Sequence, residues 1–162
     1  MIKKSGQIVE TYGEIIEETE LLAKSTGTNS IVTTYTERTD GPSINRIVSR
    51  LTVKMNIFTS GSFRQINSVL STSLATVNSN FSTIEDIDTV VIPSSSDFPS
   101  TGISANGTGV VTTKATFSTK LELEAAISKY KEVNFAITLS GGVSFDFYAR
   151  KSIDLALNYS LY

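Results

Sequence analysis

The chain has 162 residues, 40% of them hydrophobic and 19% charged, with a formal net charge of −2, which suits one domain (1–162) with a real core. It contains no Cys and no His, which removes disulfides, thiolate nucleophiles, sulfur-ligated metals, the commonest general base and the commonest zinc ligand. The negative balance argues against a general nucleic-acid binder, and no run approaches the roughly 18 apolar residues of a membrane helix.

Within that balance the charges are sorted along the chain. Residues 1–37 carry three Lys against six Glu, residues 38–64 carry five basic residues against Asp40 alone, and residues 65–113 carry four acids and no Lys or Arg. With 23 Ser and 21 Thr the composition favours β structure and hydroxyl-rich surfaces. Lys3 and Lys4 are followed by Ser5, Gly6 and Gln7, where a signal peptide needs apolar residues, so the chain is expected in the cytoplasm at synthesis, with no membrane partner.

In chain order, residues 5–24 place Ile8, Tyr12, Ile15, Ile16, Thr19 and Leu22 at helical spacing with Glu residues between them, which predicts an acidic amphipathic helix ended by Gly27. Residues 29–38 and 44–58 read as a hairpin around Thr39-Asp40-Gly41-Pro42-Ser43. In its second strand Ile47, Leu51, Val53, Met55 and Ile57 alternate with Arg46, Arg50 and Lys54, so period-two geometry predicts a core face and a basic stripe.

Ser60-Gly61-Ser62 breaks that strand, and Ser62 with Gln65 has capping-box spacing. Phe63, Ile66, Val69, Leu70, Leu74, Val77 and Phe81 then recur every three or four residues, predicting a second helix stabilised by packing, because its other face is built from indifferent helix formers. Residues 89–92 predict a short buried strand, residues 93–109 a long loop and residues 110–117 another strand. Thr119 and Glu122 repeat the capping-box spacing before a helix over 120–131. The last thirty residues alternate in three segments, 133–139, 143–147 and 153–161, predicting a meander turned at 140–142 and 149–152. The expected fold class is α+β: an antiparallel sheet with a long N-terminal-half hairpin and a C-terminal meander, packed against about three helices.

Leu139-Ser140-Gly141-Gly142-Val143-Ser144 resembles the phosphate loop of ATP pyrophosphatases, but Ser144 stands where that motif has Asp, and the alternation of Val143, Phe145 and Phe147 continues as a strand rather than a helix, so a plain hairpin turn is expected. Glu85, Asp86 and Asp88 lack the spacing of a calcium loop and read as a solvated acidic segment. The sequons at Asn80, Asn106 and Asn158 are of the number expected by chance in so Ser/Thr-rich a chain. No metal, cofactor or small-molecule substrate is implied.

The stripe Arg46, Arg50 and Lys54 can be a solvated face or can meet an acidic surface such as Glu85, Asp86 and Asp88 on a neighbouring copy. These six residues are the candidate interface, and other copies of the chain and other structural proteins are the expected partners. The order of an acidic helix, the hairpin ending in Arg50-Leu51-Thr52-Val53-Lys54-Met55-Asn56-Ile57, a helix from Phe63 and a closing strand over 153–161 resembles the small tail-completion or terminator proteins of tailed bacteriophages. That resemblance implies a non-catalytic ring subunit of a phage tail or neck, located in the virion. A monomeric binding or inhibitor protein, or an enzyme using Ser, Lys, Tyr or paired carboxylates, are the other readings.

Overall fold

The computed structural model describes the backbone of residues 11–18 and the whole of residues 27–77, 81–139 and 145–162. Eight strands and one helix follow in the order β1 (Thr11–Glu18), β2 (Thr28–Asp40), β3 (Ile47–Ser60), β4 (Phe63–Thr76), β5 (Ser82–Pro93), β6 (Gly102–Phe117), α1 (Lys120–Glu132), β7 (Ala136–Leu139) and β8 (Phe145–Ser160). They form two antiparallel four-stranded sheets, ordered β1-β2-β3-β4 and β5-β6-β8-β7.

Alternation explains why the sheets pack face to face. Ile47, Leu51, Val53, Met55 and Ile57 of β3 have no exposed surface, and across from them lie Ile103, Ala105, Val111, Phe147, Ala149, Ile153, Leu155 and Leu157 of the second sheet, all in one core cluster. The sheets meet closely at Gly107 of β6, where a Cβ would stand 2.9 Å from Leu51 Cδ1 of β3; a Cβ on Gly109 would instead press on the neighbouring strand of its own sheet, 2.5 Å from Ile84 Cγ2 and 3.2 Å from the Glu85 carbonyl of β5. Glycine here makes room for the opposing side chains rather than for a turn.

The two ends of the sandwich are closed differently. At one end α1, capped by the Thr119 hydroxyl accepting from Glu122 N at 3.2 Å, buries Ala126 and Tyr130. The Tyr130 ring meets Phe135 and Phe147 edge-on at 5.3 and 5.5 Å, and its hydroxyl accepts from Asn45 Nδ2 at 2.6 Å in the β2–β3 turn. At the other end the loop 94–101 forms an antiparallel bridge from Ser100 to Ile66 of β4, and the Tyr162 hydroxyl accepts from Arg64 N at 2.7 Å.

Several expectations are corrected. The fold is mainly β, with one helix among the described residues, and is not an α+β fold with about three helices. Residues 11–18, expected inside an N-terminal helix, pair with β2 from Thr11 opposite Glu37 to Glu18 opposite Ser30; the rest of that expected helix lies outside the described residues. Thr11, Gly13, Ile15 and Ile16 are poor helix formers, and an adjacent strand offers every residue of the segment a ladder partner.

The expected helix from Phe63 is β4. Its register against β3 slips twice, leaving Asn67 and Leu70 as extra residues. Each inserted residue stretches a spacing of two into three, from Ile66 to Val69 and from Val69 to Thr72, and the exposed bulge residue Leu70 adds an apolar side chain four before Leu74, which together imitate helical spacing. The expected loop 93–109 is short, because its Gly-, Ser- and Asn-rich second half is the start of the 16-residue β6. The expected turn at 149–152 does not exist: Ala149 and Lys151 point inward within one continuous β8, so two C-terminal strands replace three. The hairpin of β2 and β3 and the helix after Thr119 are found as expected; the 140–142 turn lies outside the described residues.

If β5 packs on Gly109 as described, Gly109→Ala forces Ile84 and the backbone at Glu85 to shift and costs about 1–3 kcal/mol in urea unfolding. An unchanged unfolding midpoint would show that the glycine is not a contact point.

Candidate functional site

The stripe and the acidic segment occupy opposite outer faces. Arg50 and Lys54 lie on the outward side of β3, in the middle of the first sheet, and Arg46 is exposed just before that strand. Arg50 stands opposite Glu37 of β2, donates to its Oε1 from Nε at 2.7 Å and from Nη2, and stacks over the Tyr35 ring at 4.3 Å. Its charge is therefore offset within its own sheet. Lys54 faces Thr33 on one side and Ser71 on the other.

Glu85, Asp86 and Asp88 belong to β5, an edge strand of the second sheet, and not to a loop. Asp86 and Ile87 together oppose Gly109, a bulge in which Asp86 takes a positive φ of 51°, a conformation that Asp tolerates better than most residues. Glu85 sits 3.9 Å from Arg150 Nε, at the outer limit of an ion pair between two half-exposed groups. The six residues are thus not brought together in one chain, and a contact between stripe and acids requires two copies. Leu139 and Phe145 end β7 and begin β8, so the Ser140-Gly141-Gly142 segment joins two strands and not a strand to a helix; its own residues lie outside the described ones.

One charged group was missed altogether. Asp40, fully buried, accepts from Arg38 Nε at 2.8 Å and from Lys151 Nζ at 2.8 Å, and Arg38 Nη1 reaches the Asp154 carbonyl at 3.2 Å in the other sheet. Arg38 and Lys151 are themselves almost buried, and Lys151 Nζ lies 5.7 Å from the Phe135 ring. The signal was present as parity: Asp40 continues the inward row Val32, Thr34 and Thr36, and Lys151 continues Ile153, Leu155 and Leu157. Two cations on one carboxylate satisfy its lone pairs and tie β2 to β8 across the sandwich.

Among the described residues no group of three His, Cys, Asp or Glu is placed to hold a metal ion, and no helix is long and apolar enough to cross a membrane. The open depressions include one of about 630 Å³ beside Ile44, Phe81 and Phe117, and one of about 370 Å³ at the β5 bulge beside Asp86 and Asp154. Comparisons with known protein families, with curated proteins and with solved structures give no match to the chain.

The buried cluster makes a graded forecast. Asp40→Ala strands two nearly buried cations and is expected to cost about 3–5 kcal/mol. Asp154→Ala removes a carboxylate that is 78% exposed, and its cost should stay within about 1 kcal/mol. Equal costs in chemical denaturation would contradict the assignment of Asp40 as the shared anion.

Proposed function

We propose that the chain is a non-catalytic structural subunit that joins copies of itself, and other structural proteins, along the side of the sandwich where β4 and β5 run. The observation that carries this reading is the apolar surface of those two strands. Leu70 on β4, and Ile87, Val90 and Ile92 on β5, are each between 49% and 59% exposed, whereas Phe63 of β4 turns to the outer face of the first sheet, away from Val90 and Ile92 on that of the second. Leu70 and Ile87 are bulge residues, lifted out of the ladder in the middle of their strands. Large exposed apolar side chains recurring along one edge strand, with Leu70 on the edge strand of the other sheet, are the chemistry of a protein contact.

The same features limit the kind of contact. Bulges, the charges of Asp86 and Asp88, and Pro93 at the end of β5 discourage open-ended strand addition. Association then goes through side chains, as in a closed assembly, rather than through a growing ladder. Because Glu85, Asp86 and Asp88 flank the apolar side chains of β5, and Arg50 and Lys54 sit on the far face, a head-to-tail contact would set unlike charges together. Arg50 is already offset by Glu37, so the charge contribution is small and the apolar part dominates. A ring in a phage tail or neck is one assembly of this kind; the element order that suggested it is not the order of the fold, and the proposal stands on β4 and β5.

Light scattering on purified protein over a concentration series tests this. A defined oligomer is expected, shifted toward monomer by Val90→Ser with Ile92→Ser, with added salt changing it little. A chain that stays monomeric at every concentration, and alone when mixed with candidate structural partners, would sink the proposal in favour of a monomeric binding protein.

A further inference from the structure

The outward face of the first sheet carries a second feature, at the end nearest the β3–β4 turn. Four amide side chains meet there across three adjacent strands. Gln65 Nε2 donates to Asn67 Oδ1 at 2.8 Å, and Asn67 Nδ2 donates to Asn29 Oδ1 at 3.2 Å and to Asn56 Oδ1 at 3.4 Å. Asn29 belongs to β2, Asn56 to β3, and Gln65 and Asn67 to β4, so the row runs perpendicular to the strands. Asn67 joins it only because it is a bulge residue: with Ser68 opposite Asn56 and Ile66 opposite Ile57, Asn67 is the extra residue that turns outward between them.

The row lies beside aromatic surface. Phe58 is on the same outward face opposite Asn29 and Gln65, and its ring meets the 52%-exposed Phe63 edge-on at 6.4 Å. The Gly27 backbone abuts the Phe58 ring so closely that a Cβ there would stand 2.1 Å from Cζ, which fixes the inner ring and leaves Phe63 as the open one.

We propose that this end of the sheet binds a neutral carbohydrate chain. The bonds inside the row use one donor group of Gln65 and of Asn67 and the acceptors of Asn29, Asn56 and Asn67, so Gln65 Oε1 and the Nδ2 groups of Asn29 and Asn56 remain for an outside partner. Interleaved amide donors and acceptors match sugar hydroxyls, which both donate and accept. An exposed phenyl ring matches the C–H face of a pyranose. Neighbouring strands are about 4.8 Å apart, so the amides repeat on the scale of one sugar ring along a chain lying across the sheet. None of the four amides or two rings carries charge, which points to a neutral glycan over an acidic one. The inference stands apart from assembly, since every group comes from one copy.

A printed array of neutral glycans, with dextran and galactomannan in solution, is the direct probe, and heparin and alginate serve as acidic comparisons. Binding to at least one neutral glycan is expected, weakened about tenfold by Phe63→Ala and by Gln65→Ala. Asn67→Ala should weaken it further, and Asn158→Ala on the other sheet should leave it unchanged. Thermal unfolding of each variant separates loss of the row from loss of the fold, and the exposed Phe63 and half-buried Gln65 keep the test intact if Asn67→Ala proves unstable. The proposal is overturned by no binding to any neutral glycan, by binding that survives both Phe63→Ala and Gln65→Ala, or by binding confined to heparin or alginate.

Discussion

The inward row of β3 constrains everything else in the molecule. From Ile47 to Ile57 its alternate side chains have no exposed surface, and a row of that length can be hidden only by a second sheet lying flat against the first. That requirement brings β6 and β8 beneath β3, sets Gly107 where Leu51 presses on β6, and leaves α1 to close one end of a slab that would otherwise be open. The ion cluster follows from the same geometry. Asp40 and Lys151 occupy inward positions of β2 and β8, and burial pairs them across the sandwich, with Arg38 as the second cation on the carboxylate.

Once the inner faces are committed to each other, whatever the protein does must be done by outer faces, edges and ends. The charges there are largely settled within the chain. Arg50 is matched by Glu37, Lys114 by Asp146 at 3.5 Å, and Arg150 by Glu85 at the limit of an ion pair. What stands out is apolar on β4 and β5 and amide-rich near the β3–β4 turn. Both features depend on bulges in β4, at Leu70 and at Asn67, so an irregularity in one edge strand shapes both candidate surfaces.

Much of this was legible wherever a strand kept strict alternation. β3 shows its two faces in the chain alone, α1 is announced by Thr119 and Glu122, and Asp40-Gly41 marks the turn between β2 and β3. Legibility failed where a strand departs from period two. In β4 two inserted residues imitate a helix, and in β6 the sheet needs glycine and small polar residues that read locally as loop. The candidate interface was legible as residue types, and only its first half as a surface. That Arg50 is offset by Glu37 depends on the register of β2 against β3, and that Asn29, Asn56 and Asn67 meet depends on a bulge. Neither is encoded by spacing along a single strand.

Nuclear Overhauser contacts in isotope-labelled protein test the face-to-face packing most directly. Cross-peaks between the Leu51 methyl groups and the Gly107 α-protons are expected, together with strand-type carbon shifts through residues 63–76. Helical shifts over 63–76, with no contact between Leu51 and Gly107, would contradict the two-sheet arrangement and the surfaces built on it.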